Sequence, residues 1–284
     1  MRIGTTLIPV VGWSLDAQQP EVGRRRHLEA LRILTQQYPI EAVELNGDFS
    51  ILYPQVFDTG YYEQVADLQK ELGFACTLHL PFLWQDASSL AEPIRQATLQ
   101  SIRVVLESAQ ALHIESYVLH LWGVWTSLLA SVQQMAPEEK RDLMDEILRR
   151  ANHSLEELAT LVPPAMVCVE NLGRFAFDRV IPLVERHGMR ICLDVGHLTV
   201  RGGDPLGFLA EHWDQIGEIH LHDALRGDKT APGARDHLPL GQGMVDYAGL
   251  MDALDEGGYD RVLILEVNTE ADLSQSLEKV RPWL

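Results

Sequence analysis

Again and again an apolar stretch of this chain ends in a side chain that can hold a cation or move a proton: Glu44, His79, His120, Glu170, Asp194 with His197, His220 and Glu266. In Ile191 to His197, ICLDVGH, an apolar run, a carboxylate and an imidazole share one short segment, so both groups can turn toward one point. Strand alternation sets the facing of the others. In VLHL, Leu119 and Leu121 take one face and His120 the other; in EIHLHD, Ile219 and Leu221 face out while His220 and His222 face in. Val169 and Val267 likewise leave Glu170 and Glu266 pointing away from their apolar neighbours.

A single strand-end histidine is more often a hydrogen-bonded core side chain, and a single glutamate a salt-bridge partner. The conjunction reverses those readings. Burying so many ionisable groups costs on the order of several kcal/mol per ion unless something compensates. A divalent cation compensates: mixed imidazole and carboxylate ligands suit zinc, manganese or iron, and carboxylate-rich sites also admit magnesium.

The elements that must carry these residues alternate without a break. Strands are expected at Ile3 to Leu7, Ala42 to Leu45, Phe74 to Leu80, Tyr117 to Leu121, Met166 to Glu170, Arg190 to Asp194, Glu218 to His222 and Val262 to Glu266. Helices are expected between them at Gln18 to Tyr38, Tyr61 to Leu72, Leu90 to Leu112, Pro137 to Leu161, Asp178 to His187, Pro205 to His212 and Asp246 to Glu256, and a last one at Glu270 to Val280. Strand and helix alternation of this kind over 284 residues predicts an α/β chain folded as a single (β/α)8 TIM barrel, one domain spanning 1–284. An open doubly wound sheet is the runner-up, but Gly4-Thr5-Thr6 offers no GxGxxG turn after the first strand. The longest irregular piece, Ala224 to Gly243, is of the length that loops with a function have.

A net charge of −18 repels a phosphate backbone, and the densest basic run, Arg24-Arg25-Arg26, falls on an expected surface helix, so no nucleic-acid partner is expected. No apolar run is of membrane-spanning length and the N-terminus lacks a signal pattern. The expectation is a cytoplasmic protein with a small-molecule substrate and no membrane partner, free to form a homo-oligomer. Cys76, Cys168 and Cys192 show no CxxC spacing and read as buried reduced thiols.

The ordered set THLPF, VLHLW, CVENL, CLDVGH, EIHLHD, DHLPLGQG and LILEV resembles the xylose isomerase-like TIM-barrel superfamily, AP endonuclease family 2, across essentially the whole chain. In its sugar isomerases and epimerases the resemblance implies one metal held by Glu170, Asp194, His220 and Glu266, with the two glutamates trading protons with substrate carbon. In its endonuclease IV-like members it implies further zinc ions on His79, His120, His197 and His237. Two positions depart from that pattern: Arg235 stands where the family has an aspartate, with Asp236 expected to point elsewhere, and Gln242 stands where a glutamate often follows.

Two activities follow. A metal-dependent isomerase or epimerase of a sugar or sugar phosphate would use Glu170 and Glu266 as opposed bases beside a metal-bound carbonyl, with His197 orienting an oxygen. The alternative is a zinc-dependent phosphodiesterase for a small diester, including the cobamide-remodelling type that CVENL, VERHG and CLDVGHL resemble. Only the second has a use for His79 and His120. As substrate contacts we expect Arg235, whose planar fork suits a phosphate, Glu44, and Trp122, which with Trp84 and Trp125 would wall the site.

Overall fold

The computed structural model describes residues 1–11, 19–130, 135–172, 177–226 and 235–284. Parallel strands β1 (Arg2–Thr6), β2 (Ala42–Asn46), β3 (Ala75–His79), β4 (Ile114–Leu119), β5 (Val167–Glu170), β6 (Arg190–Asp194), β7 (Ile216–Leu221) and β10 (Val262–Leu265) close into a barrel, β1 pairing with both β2 and β10. This is a (β/α)8 barrel, as the alternation predicts.

The helices begin and stop where local chemistry dictates. Asp58 accepts the Tyr61 N–H at 2.9 Å and opens helix Thr59–Leu72, which Gly73 closes in the left-handed region at φ 76°. Thr269 caps Glu270–Val280 in the same way through the Asp272 N–H at 3.1 Å. The helix expected from Gln18 runs from Pro20 to Gln37; Gln18 itself lies outside the described residues.

Outward-facing strand residues such as Val43, Leu78, Leu119, Val169, Leu193, Ile219 and Leu263 join the helices in the main core. Low in the barrel Ala42, Ala75, Val262 and Ile264 gather together, as do Val118, Cys168 and Cys192, with buried Glu218 in register beside Val262 and Cys192 and accepting the Ser116 hydroxyl at 2.5 Å. Gly4 is needed there, since a Cβ would lie 2.5 Å from the Ala42 carbonyl oxygen. All three cysteines are buried free thiols. Above this layer the interior turns polar, and strands aligned in register place Thr6 beside Glu44, Asn46 beside His79, and Asp194 beside His220.

Three expectations are corrected. Strands β4 and β7 sit two or three residues earlier than the sequence suggested, so His120 and His222 lie just past the strands, where the backbone is free to turn. The stretch Ala224 to Gly243 is not wholly irregular: β8 (Asp223–Leu225) and β9 (Arg235–Leu238) pair antiparallel. Its residues 227–234 lie outside the described set.

Candidate metal centre

The carboxyl ends of β3, β4, β5, β6, β7 and β10 deliver their polar residues to one volume. Glu170, last residue of β5 and 1 % exposed, sits at its middle. Its Oε2 lies 2.9 Å from His120 Nε2 and 3.3 Å from His79 Nε2, and its Oε1 lies 3.2 Å from His197 Nδ1. His220 Nδ1 lies 3.9 Å from Glu170 Oε2 and 3.5 Å from Glu266 Oε2, and Glu266 Oε2 is also 3.4 Å from His237 Nε2. His197 Nδ1 completes the ring, 3.2 Å from Asp194 Oδ2.

Asp194 is held from three sides. Asn171 clamps its backbone in both directions at 2.8 Å, donating its amide N–H to the Asp194 carbonyl and accepting the Asp194 N–H. The His197 N–H donates to Asp194 Oδ1 at 2.6 Å, because Asp194 caps the short helix Val195–Val200. His222 Nε2, on a fully buried ring, reaches Asp194 Oδ2 at 3.1 Å. The sequence reading put His222 on the inward face but not in the site. Its signal was present: His220 and His222 are separated by one residue and so share a face.

Asp236 also overturns expectation. Its Oδ1 lies 3.2 Å from His237 Nδ1, and its Oδ2 lies 3.9 Å from His197 Nε2. The reason is backbone conformation: His237 has φ 53°, so the chain turns there instead of running extended. Arg235 is exposed on β9. Trp122 is 2 % exposed and packs against the main core, whereas Trp84 and Trp125 are 77 % and 78 % exposed. Glu44 is buried at the side of the site, its Oε2 3.3 Å from His220 Nε2.

The electrostatics ask for positive charge. Burial pulls the His79 imidazole down, but the Glu170 hydrogen bond and the Glu44 charge push it up to about 9. His197 rises to about 9 beside Asp194 and Glu170, and His237 to about 11 beside Glu266 and Asp236, both against the pull of burial. His120 is lowered by burial despite Glu170. Glu170 and Glu266 lose solvent, which would raise them, yet the surrounding imidazoles hold both well below the usual carboxylate range. Protonated imidazoles thus occupy the electrostatic place of cations.

The donors fit a divalent metal. Among the ligand triads whose donor atoms lie within 4.8 Å of one another are His79, His120 and Glu170; Glu170, Asp194 and His197; and His197, His222 and His237. The ring nitrogens His197 Nδ1 and His220 Nδ1 are buried without a hydrogen-bond partner although carboxylate oxygens lie nearby.

A family model described as xylose isomerase-like TIM barrel matches residues 33–283. The chain belongs to the xylose isomerase-like TIM-barrel family. Among curated relatives, protein MJ1311 of Methanocaldococcus jannaschii is 24% identical over 222 residues, 73% of this chain and 69% of that protein. Inosose dehydratase of Lacticaseibacillus casei is 29% identical over 105 residues, which is 33% of this chain and 35% of that enzyme. The fold is shared with a D-tagatose 3-epimerase-like protein, at TM-score 0.75 and 20% identity over 100% of this chain and 97% of that one. It is shared too with the IolI protein solved with a bound zinc atom, at TM-score 0.65 and 14% identity over 100% and 95% of the two chains. Several of these relatives are named as sugar-modifying enzymes, which with the cluster supports an enzyme. No helix among the described residues is long and apolar enough to cross a membrane.

Proposed function

We propose that this chain is a divalent-metal-dependent hydrolase of a small phosphodiester, in which Glu170 and the surrounding imidazoles and carboxylates would hold the cations. The observation that carries this reading is the convergence of His79 Nε2 and His120 Nε2 on one Glu170 oxygen, at 3.3 and 2.9 Å. A general base needs a lone pair open to substrate. On Glu170, His79 and His120 cover one oxygen and His197 approaches the other, so the carboxylate is better placed to bridge than to abstract. His79, His120 and Glu170 would hold one ion; Glu170, Asp194, His220 and Glu266 would hold another, and Asp236 supplies the acid that a further position on His197 and His237 requires. Zinc is the natural occupant of so imidazole-rich a set, with manganese next. Bound there, such ions supply Lewis-acid polarisation of a phosphoryl oxygen and a lowered pKa for water.

The chain's own contribution is to fix these donors and exclude water. Buried Glu170 and Asp194 cannot swing, because Asn171, His197 and His222 hold the Asp194 backbone and carboxylate, and three imidazoles surround Glu170. Glu266, one residue past β10, is the more accessible carboxylate, its side chain 20% exposed against 2% for Glu170. It is the residue of this ring placed to take or return a proton at substrate oxygen. Arg235, exposed on the neighbouring hairpin, would steady a phosphate oxygen.

A second reading, isomerase or epimerase of a sugar, is favoured by the names of the relatives, an inosose dehydratase and a 3-epimerase-like fold neighbour. It would take Glu170 and Glu266 as opposed bases with His197 orienting an oxygen. One experiment separates the two. The zinc- or manganese-loaded protein is incubated with 4-nitrophenyl phenyl phosphate and, separately, with a ketohexose in deuterated water. Diester cleavage without deuterium in the sugar supports the hydrolase; deuterium at the carbon beside the carbonyl without cleavage overturns it.

A further inference from the structure

Beside the cluster lies a cavity of about 250 Å³, into which Glu44, His79, His237 and Glu266 all open. Its remaining wall is unlike the cluster. It is mostly apolar: Leu7, Ile8, Leu45, Phe49, Phe82, Leu83 and Val267 line it, with Thr6, Asn46 and Asn268 as its polar members. Phe82 joins the two regions, its ring centroid 4.6 Å from that of His79 and 4.5 Å from that of His120. Among the described residues no lysine or arginine lines the cavity.

That wall decides what fits. A bare sugar presents a hydroxyl on nearly every carbon, and each one buried against leucine, isoleucine or phenylalanine without a partner costs about 1–3 kcal/mol. A second anionic group would meet Glu44 and Glu266, whose charges already engage the imidazoles beside them. A flat uncharged ring loses nothing on entering and stacks on phenylalanine. The volume, below the roughly 300–1,000 Å³ of drug-sized sites, suits one ring system.

We infer that this cavity receives the ring-bearing side of the substrate, so that the protein's phosphodiester is one with an aromatic or flat heterocyclic group on one ester oxygen. The inference rests on the hydrolase reading above. In the reaction the oxygen of water bonds to phosphorus and one P–O ester bond breaks. One proton of water ends on the departing alcohol and the other passes to solvent from the new phosphomonoester. The ring stays in the apolar cavity while phosphorus lies over the cluster.

The test is product-side binding, which does not depend on turnover. Phenyl phosphate and methyl phosphate are titrated calorimetrically into the zinc-loaded protein and its Leu83→Arg variant, whose metal content is measured alongside. Phenyl phosphate should bind at least about tenfold more tightly than methyl phosphate, since burying a ring is worth more than the single methylene that gives about tenfold. Leu83→Arg should erase the preference with metal content unchanged. Equal affinity of the wild-type protein for the two esters, or a preference that survives Leu83→Arg, overturns the inference. A preserved phenyl preference with no cleavage of 4-nitrophenyl phenyl phosphate overturns the hydrolase reading and leaves the cavity assignment standing as a binding site.

Discussion

His222 hydrogen-bonds through Nε2 to Asp194 Oδ2 at 3.1 Å while its Nδ1 accepts the His237 backbone N–H at 2.8 Å. The Asp223 carbonyl is a longer contact of Nδ1, at 3.3 Å. A neutral imidazole whose Nδ1 accepts must carry its proton on Nε2, so His222 donates to Asp194 and is a positioning residue more than a ligand. It ties the carboxylate of β6 to the hairpin that carries Asp236 and His237, whose ring stacks on its own at 4.2 Å.

Replacing His222 should therefore loosen the metal without unfolding the barrel. His222→Phe is expected to weaken metal binding about 10–100-fold, the usual cost of losing a partner that orients a ligand. His222→Gln, which restores a donor, should recover part of it. Competition against a chromogenic chelator measures both; unchanged affinity in His222→Phe would remove His222 from this role.

Gly196 makes room for that ring. A Cβ at this position would lie 1.9 Å from His222 Cε1. Gly196→Ala should reproduce the weakened metal binding of His222→Phe although it removes no polar atom, and the double variant should be no worse than either single one, since both changes act through one group. Additive losses in the chelator assay would show that glycine and histidine act separately.

Much of this was legible in the residues. Strand–helix alternation led to the barrel because each strand is apolar on its helix-facing side, and strand-end acids and imidazoles marked the mouth because burying them alone is costly. Asp236 was misplaced because its direction depends on the φ of His237, which side-chain pattern does not encode. The β8–β9 hairpin was missed because its strands are three and four residues long, too short for a period of two to register.

Protonation gives an independent handle. His79 and His197 have folded values of about 9 against 6.5, so their contribution to the metal-free fold is complete below 6.5 and is lost as pH rises through about 9. Asp236, held at about 2 against 3.8 by its hydrogen bond to His237, contributes above 3.8 and its share is lost as pH falls through about 2. Metal-free protein should thus have its highest Tm between about 3.8 and 6.5 and soften toward pH 9. Loading metal near neutral pH must displace protons from these imidazoles. Titration in buffers of different ionisation heat should give a slope corresponding to net proton release; a zero slope contradicts the charge assignment.

His120 separates mechanisms. It touches Glu170 but none of the carboxylates other than Glu170 in the ring of measured contacts, so a one-metal isomerase loses little when it goes. His120→Ala should lower phosphodiester turnover by more than about 100-fold, beyond what losing an outer orienting partner costs. Steady-state kinetics at saturating zinc decides this, and turnover within a few-fold of wild type would argue for the isomerase.

The claim on which all of this stands is that the imidazoles and carboxylates around Glu170 would hold more than one cation, and metal counting tests it most directly. Elemental analysis of dialysed, zinc-reconstituted protein should find at least two ions per chain in the wild type and one fewer in the His79→Ala, His120→Ala double variant. A single ion per chain in both proteins would contradict the account.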